Sequence, residues 1–258
     1  MKKYKAGRVI TLKSPSEIEK MRVANQIVAK ILRELSGILR AGITTYDLDK
    51  IAEEKIKLYG AAPAFKGYFG YPAATCISVN NEVVHGIPSK KRILKEGDVV
   101  SIDLGVVFDG YYGDAAITAA VVVGSEEGER LINVTRNALM LGIKEALPGA
   151  NLGNISSAIQ EYVEGANFSV VRKFVGHGIG RALHEPPEVP NYGKRGTGPI
   201  LKEGMVLAIE PMVNAGGHDV KILDDGWTVV TVDGSLSAHF EHTIAVTRYG
   251  PEILSGLD

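Results

Sequence analysis

Apolar residues recur at helical spacing from Ser14-Pro15-Ser16-Glu17 to about Leu39, and those first four residues have the form of a capping box with proline at the first helical position. A second helical pattern follows Thr44, a third covers 126–147 until Pro148-Gly149 stops it, and a fourth follows Asn151. Thr44 and Asn151 are both N-cap residue types. Between the helices the chain turns glycine-rich and strand-forming, at 75–85, 98–123, 169–180, 205–213, 219–232 and 239–248. No stretch is Pro/Ser-rich or low in complexity, so nothing marks a linker.

The pattern is written twice. Residues 94–103 read LKEGDVVSID and residues 201–210 read LKEGMVLAIE, 107 residues further on, with six of ten positions identical and an acid ending each copy, Asp103 and Glu210. The offset holds upstream, where Gly42 maps to Gly149, Thr44 to Asn151, Asp47 to Asn154 and Leu48 to Ile155. Each half therefore carries a capped helix, an LKEG turn and an acid-tipped strand. The expectation is a single domain over 1–258: a short extension, 1–14, and two pseudo-symmetric halves of about 15–124 and 125–250 sharing one core.

Composition narrows the classes. A chain of 258 residues with 45% apolar and 23% charged residues is ordinary globular material, which excludes disorder. A net charge of −1 and a pI near 6.6 give no global field for nucleic acid or an anionic membrane. The basic runs MKKYKAGR and Ser89-Lys90-Lys91-Arg92 read first as solvated loops. The N-terminus has no apolar run behind its positive charge, and every apolar run is cut before about 18 residues, so neither an export signal nor a membrane span is expected. The lone Cys76 excludes an internal disulfide and fits a reducing cytoplasm. Without a heptad pattern, a cytoplasmic monomer is the expectation.

The carboxylates carry the chemistry. Asp109-Gly110 is a two-residue hairpin signal between apolar runs. With those residues as the turn, Phe108 faces Tyr111 and Gly105 faces Asp114, so Asp103 and Asp114 share a face as diagonal neighbours, roughly 7 Å apart at Cβ. Two carboxylates can close that gap around a cation. Bare, they would repel one another and lose hydration among apolar residues; a bound metal removes both costs. The plainer alternative has Asp103 capping its strand and Asp114 solvated at an edge. In the second half, Glu241 opens EHTIAVT as Asp114 opens DAAITAA, but 31 residues separate Glu210 from Glu241 against 11 for the first pair. The extra 20 residues are visible as the turn-rich stretch ILDDGWTVVTVDGS. Between the halves, VGHGIGRALHEPP places His177 and His184 seven apart, beside glycines that mark a close backbone approach. Each histidine alone reads as a structural residue. Four acids and a histidine suit a two-metal site, because four negative charges balance two divalent cations.

Asp103, Asp114, Glu210 and Glu241 with His177, together with NNEVVHGIP, GHGIGRALHEPP and AIEP, resemble the type I methionine aminopeptidases from about Pro15 to Gly250. The resemblance implies an α+β pita-bread fold, internally duplicated, with a curved, mainly antiparallel sheet backed by helices and the metal site near the pseudo-two-fold axis. It implies that Asp114 and Glu241 bridge two divalent ions (Co, Mn, Fe or Zn), that Asp103 holds one of them, and that His177 and Glu210 hold the other. Glu210 would also shuttle the proton, His184 would donate to the scissile carbonyl oxygen, and His85 would stand near the scissile nitrogen. Tyr68, Tyr71, Cys76, His85 and Trp227 would form the methionine pocket, with His184 a further substrate-binding residue. The residue before the second histidine, commonly Phe in this family, is Leu183, a departure that bears on the pocket's shape. The implied activity is excision of N-terminal methionine from nascent proteins and peptides whose second residue is small and uncharged. Contact with the ribosome would run through Lys90, Lys91 and Arg92.

Three rivals share the fold. Prolidase-like and X-Pro aminopeptidases have the same metal set but typically a large N-terminal domain. Type II methionine enzymes carry a helical insert for which the 25 residues between His184 and Glu210 leave no room. A catalytically silent binding module would have lost ligands that this chain retains.

Overall fold

The computed structural model describes residues 9–256. The capping box opens α1 (Pro15–Gly37): Glu17 N donates to the Ser14 hydroxyl, and Ser14 N donates to the Glu17 carboxylate at 2.9 Å. Thr44 and Asp47 repeat the device ahead of α2 (Thr45–Leu58). The chain continues through β1 (Ala62–Pro63), a 3-10 turn (Tyr68–Gly70), β2 (Thr75–Val79), β3 (Glu82–Val84), β4 (Val99–Phe108) and β5 (Tyr111–Ala120). The second half begins with α3 (Glu126–Lys144) and α4 (Gly153–Gly165). Its strands are β6 (Ser169–Val170), β7 (Gly176–Gly178), β8 (Glu185–Val189), β9 (Val206–Ile209), β10 (Met212–Asn214), β11 (Val220–Ile222), β12 (Val229–Thr231), β13 (Ser237–His239), β14 (Glu241–Thr247) and β15 (Gly250–Ile253).

Two expected helix ends differ. α3 stops at Lys144 rather than at 147, because Glu145 N and Ala146 N turn back onto the Gly142 and Ile143 carbonyls. Asn151 does not cap α4, whose N-cap is Leu152 with no side-chain bond. The Asn151 amide instead donates to the Gly198 carbonyl, and Asn154 accepts from Gly196 N, so both side chains hold the loop before β9.

The main sheet is antiparallel in the order β1-β4-β5-β14-β9-β7-β8, with β2 also paired to β4 and β15 to β14. Its two halves are built alike. Gly42 N donates to the Leu94 carbonyl and Gly149 N to Leu201, while the bridge between Thr44 and Ile93 recurs between Asn151 and Ile200. The insertion folds as a hairpin, β11 and β12, that joins β3 in a separate small sheet and carries Trp227 in its turn.

Strand alternation separates the two faces. On β4, Val100, Ile102, Leu104 and Val106 pack with Ala24, Ile27, Val28 and Ile31 of α1 and with α2. On β9 and β14, Leu207, Ile209, Ile244 and Val246 pack with α3 and α4. Each such fully buried aliphatic side chain contributes about 1.5–3 kcal/mol of transfer free energy. α1 lies so close to β5 that a Cβ on Gly113 would sit 2.7 Å from the Ala24 carbonyl carbon and the Asn25 nitrogen. The alternate positions, Asp103, Asp114 and Glu241 among them, are thereby turned away from the helices.

Candidate active site

The hairpin register is the one the Asp109-Gly110 turn predicts: Phe108 opposite Tyr111, Gly105 opposite Asp114 and Asp103 opposite Ala116. Ala116 in turn faces Glu241 across β5 and β14. A row Cys76, Asp103, Ala116, Glu241 thus crosses four strands, with only a methyl group between the two acids. Glu210 follows directly on β9, whose last residue, Ile209, faces His242. His177 on β7 lies opposite Ala208. The sheet therefore brings all five predicted ligands to the face turned away from the helices. Ligand atoms of Asp114, His177 and Glu241 lie within 4.8 Å of one another, and His177 Nε2 is 3.5 Å from Glu210 Oε1.

These groups fit a divalent cation. Asp103 Oδ1, Asp114 Oδ1 and Glu241 Oε1 are buried oxygens without a hydrogen-bond partner among the described residues, a costly arrangement for carboxylates unless a cation compensates it. His177 Nδ1 donates to the Gly178 carbonyl at 2.9 Å, since a carbonyl can only accept, which leaves Nε2 with its lone pair toward the acids. Without a cation the charges are penalised. Burial, with Glu210 adding and His239 opposing, pushes Asp103 up to about 7, and burial pushes Glu210 up to about 8. Asp114 and Glu241 are raised well above the carboxylate range, by burial first and then by the neighbouring acids. Burial, helped by the nearby His184, lowers His177 to about 3, so its imidazole is neutral and able to ligate.

The other predicted residues gather beside this cluster. The rings of His184 and His177 are 4.3 Å apart, and His184 Nδ1 is 2.8 Å from the Tyr68 hydroxyl, with the two rings stacked. Tyr71 meets Trp227 edge-on at 5.1 Å, and Trp227 also stands edge-on to His85. Tyr71, Cys76 and Leu183 are buried in one apolar cluster, with Tyr68 and Trp227 packed against it. The insertion in the second half thus delivers Trp227 to a cluster that also draws on the first half and the β7–β8 connection. His85 adopts φ 60°, uncommon for a non-glycine residue, and burial lowers its pKa to about 4. Gly86 follows because a Cβ there would come within 2.3 Å of the Ile77 carbonyl oxygen.

Two neighbours were not anticipated. Phe174 stands edge-on to His85 at 5.6 Å. His239 is 1% exposed, neither of its ring nitrogens has a hydrogen-bond partner among the described residues, and Nε2 lies 3.6 Å from Glu210 Oε2. Its backbone is pinned by Thr118, whose hydroxyl donates to the His239 carbonyl and accepts from its N–H. The signal for His239 was in the strand period: with 239–248 as a strand, residues 239 and 241 fall on one face.

Four acids and an imidazole on one face of an antiparallel sheet are a donor set suited to divalent metal, and the chain belongs to metallopeptidase family M24, whose model matches residues 19–248. Among its relatives is the methionine aminopeptidase of Clostridium perfringens, 56% identical over 247 residues, covering 96% of this chain and 99% of the relative. The crystal structure of methionine aminopeptidase from Thermotoga maritima is 53% identical, with a TM-score of 0.95 over 96% of this chain and 100% of that one. Prolidase from Pyrococcus furiosus shares the fold at 24% identity and a TM-score of 0.77, and this chain covers 66% of its length. The pita-bread architecture expected from the sequence is therefore the one observed.

Proposed function

We propose that the chain removes the N-terminal methionine from peptides and nascent proteins whose second residue is small and uncharged. The observation that carries this reading is the adjacency of the acid-rich face to the apolar cluster of Tyr71, Cys76 and Trp227, with Cys76 opposite Asp103, which suits a flexible thioether side chain. Asp103, Asp114, His177, Glu210 and Glu241 would hold two divalent cations, with Asp114 and Glu241 shared between them. When bound, such a pair supplies a water of lowered pKa and polarises the scissile carbonyl. A set of oxygens with one imidazole accepts Co, Mn, Fe or Zn.

The protein's own groups do the remaining work. Glu210 takes the proton released by the attacking water and returns it to the leaving amine. His184 is lowered to about 4 by burial and is neutral at pH 7; its Nδ1 is paired with the Tyr68 hydroxyl, and in the tautomer that carries the proton on Nε2 the ring is a donor for the substrate's carbonyl oxygen. His85 is also neutral and is assigned to the scissile nitrogen. Crowding beside the acids would limit the second side chain, because a near-attack geometry of about 3–3.5 Å tolerates little displacement.

The setting proposed is a cytoplasmic monomer that meets nascent chains at the ribosome. Among the described residues no helix is long and apolar enough to cross a membrane. Lys91 is exposed and available for such a contact, whereas Lys90, also exposed, lies over the Tyr46 ring and Arg92 is engaged with Glu82 and the Val79 carbonyl. The test is a side-by-side assay of Met-Ala, Met-Lys, Leu-Ala and formyl-Met-Ala peptides with each metal restored in turn. Rapid release of methionine from Met-Ala alone is expected. Comparable turnover of Met-Lys or of the formylated peptide would overturn the specificity.

A further inference from the structure

The segment ahead of α1 is tied into the site. Lys13 N donates to the Gly204 carbonyl at 2.7 Å, which lays this segment against the turn before β9. The Lys13 ammonium then reaches Glu185 Oε2 at 2.7 Å, in a pair whose side chains are only 6% and 13% exposed. The Thr11 hydroxyl donates to the same oxygen at 2.8 Å. The other oxygen, Oε1, accepts from Arg181 N at 2.8 Å and Ala182 N at 3.1 Å, closing the connection between β7 and β8 into a compact turn. Gly180 lies against this arrangement, for a Cβ there would be 2.6 Å from Lys13 Cε and 2.8 Å from Glu185 Oε1. The same glycine's carbonyl accepts from Tyr112 N at 2.9 Å, fixing the turn to the catalytic hairpin.

His184 is the residue before Glu185. Its backbone is held between the buried side chain of Leu183 and the doubly bonded carboxylate of Glu185. A partly buried carboxylate that loses its cation shifts toward water, and that shift loosens the turn it organises. Neither side chain of the pair is bonded to a proposed metal ligand; the backbone of Glu185 pairs with Gly178, the residue after His177, and the side chains reach the chemistry through His184. Loss of the pair would thus change the reach of one imidazole while leaving the acids in place.

We propose that Lys13 and Glu185 form a latch by which the segment preceding α1 sets the position of His184, so that both are positioning residues for the hydrolytic step. The inference rests on the donor role given to His184 above. A purely structural pair would alter stability alone.

The test is a double-mutant cycle. Lys13→Met keeps the alkyl stem beside Gly180 and removes the charge; Lys13→Arg keeps the charge; Glu185→Gln perturbs the partner should Lys13→Met fold poorly. kcat and KM for Met-Ala-Ser, bound metal and Tm are measured for each, alone and with His184→Ala. Lys13→Met and Glu185→Gln are expected to lower kcat about 10- to 100-fold, the scale of a displacement near 1 Å, with KM and metal content little changed. Lys13→Arg should recover most of the rate, and on the His184→Ala background Lys13→Met should cost less than about twofold. A lowered Tm with kcat per folded molecule intact would overturn the latch, as would an undiminished Lys13→Met effect on the His184→Ala background. If His184→Ala alone has little effect, the donor role itself fails and the latch falls with it, an outcome distinct from the other two.

Discussion

Asp114 and Glu241 are buried more deeply than Asp103 and Glu210, and each has an oxygen without a partner among the described residues. Shared ligands should behave differently from unshared ones. Asp114→Asn and Glu241→Gln are expected to abolish both equivalents of metal in a calorimetric titration, whereas Asp103→Asn and His177→Ala should weaken one equivalent more than the other. Equal loss in all four variants would remove the bridging assignment. His239 stands against the Glu210 oxygen that does not face His177. Outer-shell partners of metal ligands are worth roughly 10- to 100-fold in affinity, so His239→Ala should raise the metal Kd by about tenfold. His239→Gln, which keeps a donor, should recover most of that. An unchanged Kd in His239→Ala would show that the ring only fills space.

The β4–β5 hairpin places Asp103 and Asp114, and α1 holds β5 through the close approach at Gly113 and through Asn25, whose side-chain oxygen accepts from Asp114 N at 3.2 Å. Gly113→Ala would force the helix and strand apart. Overpacking of this kind costs about 1–3 kcal/mol, so a Tm lowered by a few degrees is expected together with weaker metal binding, because Asp114 moves with its backbone. A Tm and a metal affinity both unchanged would mean that α1 yields freely. How much of this was legible follows from the same hairpin. A turn dipeptide and the two-residue period sufficed to place Gly105 opposite Asp114, because register propagates along a strand without further information. The helix caps were legible at Thr44, whose hydroxyl is engaged with Asp47, and misread at Asn151, where the 194–200 loop competes for the amide. Lys13 and Glu185 could not be paired from sequence, since 172 residues separate them and only the closed β7–β8 turn brings them together. Phe174 was hidden for the same reason.

Metal held by these acids would couple binding to folding across the entire site, and pH separates the two. In the metal-free chain, His177 is lowered to about 3 and His85 and His184 to about 4, against an ordinary 6.5. Through these three groups the unfolded chain binds more protons in that range, and their contribution to stability rises with pH until about 6.5. Asp103, raised to about 7, and Glu210, raised to about 8, act in the opposite sense. The folded chain keeps protons that the unfolded chain has already released above an ordinary carboxylate pKa near 4. Their contribution is fully present below that value and is lost as pH rises through about 7 to 8. Above pH 6.5 the histidines no longer contribute a slope, and the carboxylates alone set it. The chelated protein is thus expected to lose several degrees of Tm between pH 6.5 and pH 8.5, at about 2–4 °C per kcal/mol for a domain of this size. Divalent cations compete with the same protons and bind more tightly as the acids ionise, so the Tm gain from saturating Mn²⁺ should grow over that interval. Calorimetric scans of chelated and Mn²⁺-loaded protein at pH 6.5, 7.5 and 8.5 measure both slopes. A chelated Tm that climbs through pH 8.5, or a metal-induced gain that shrinks with pH, would show that the four acids are not held together at the expense of their ionisation.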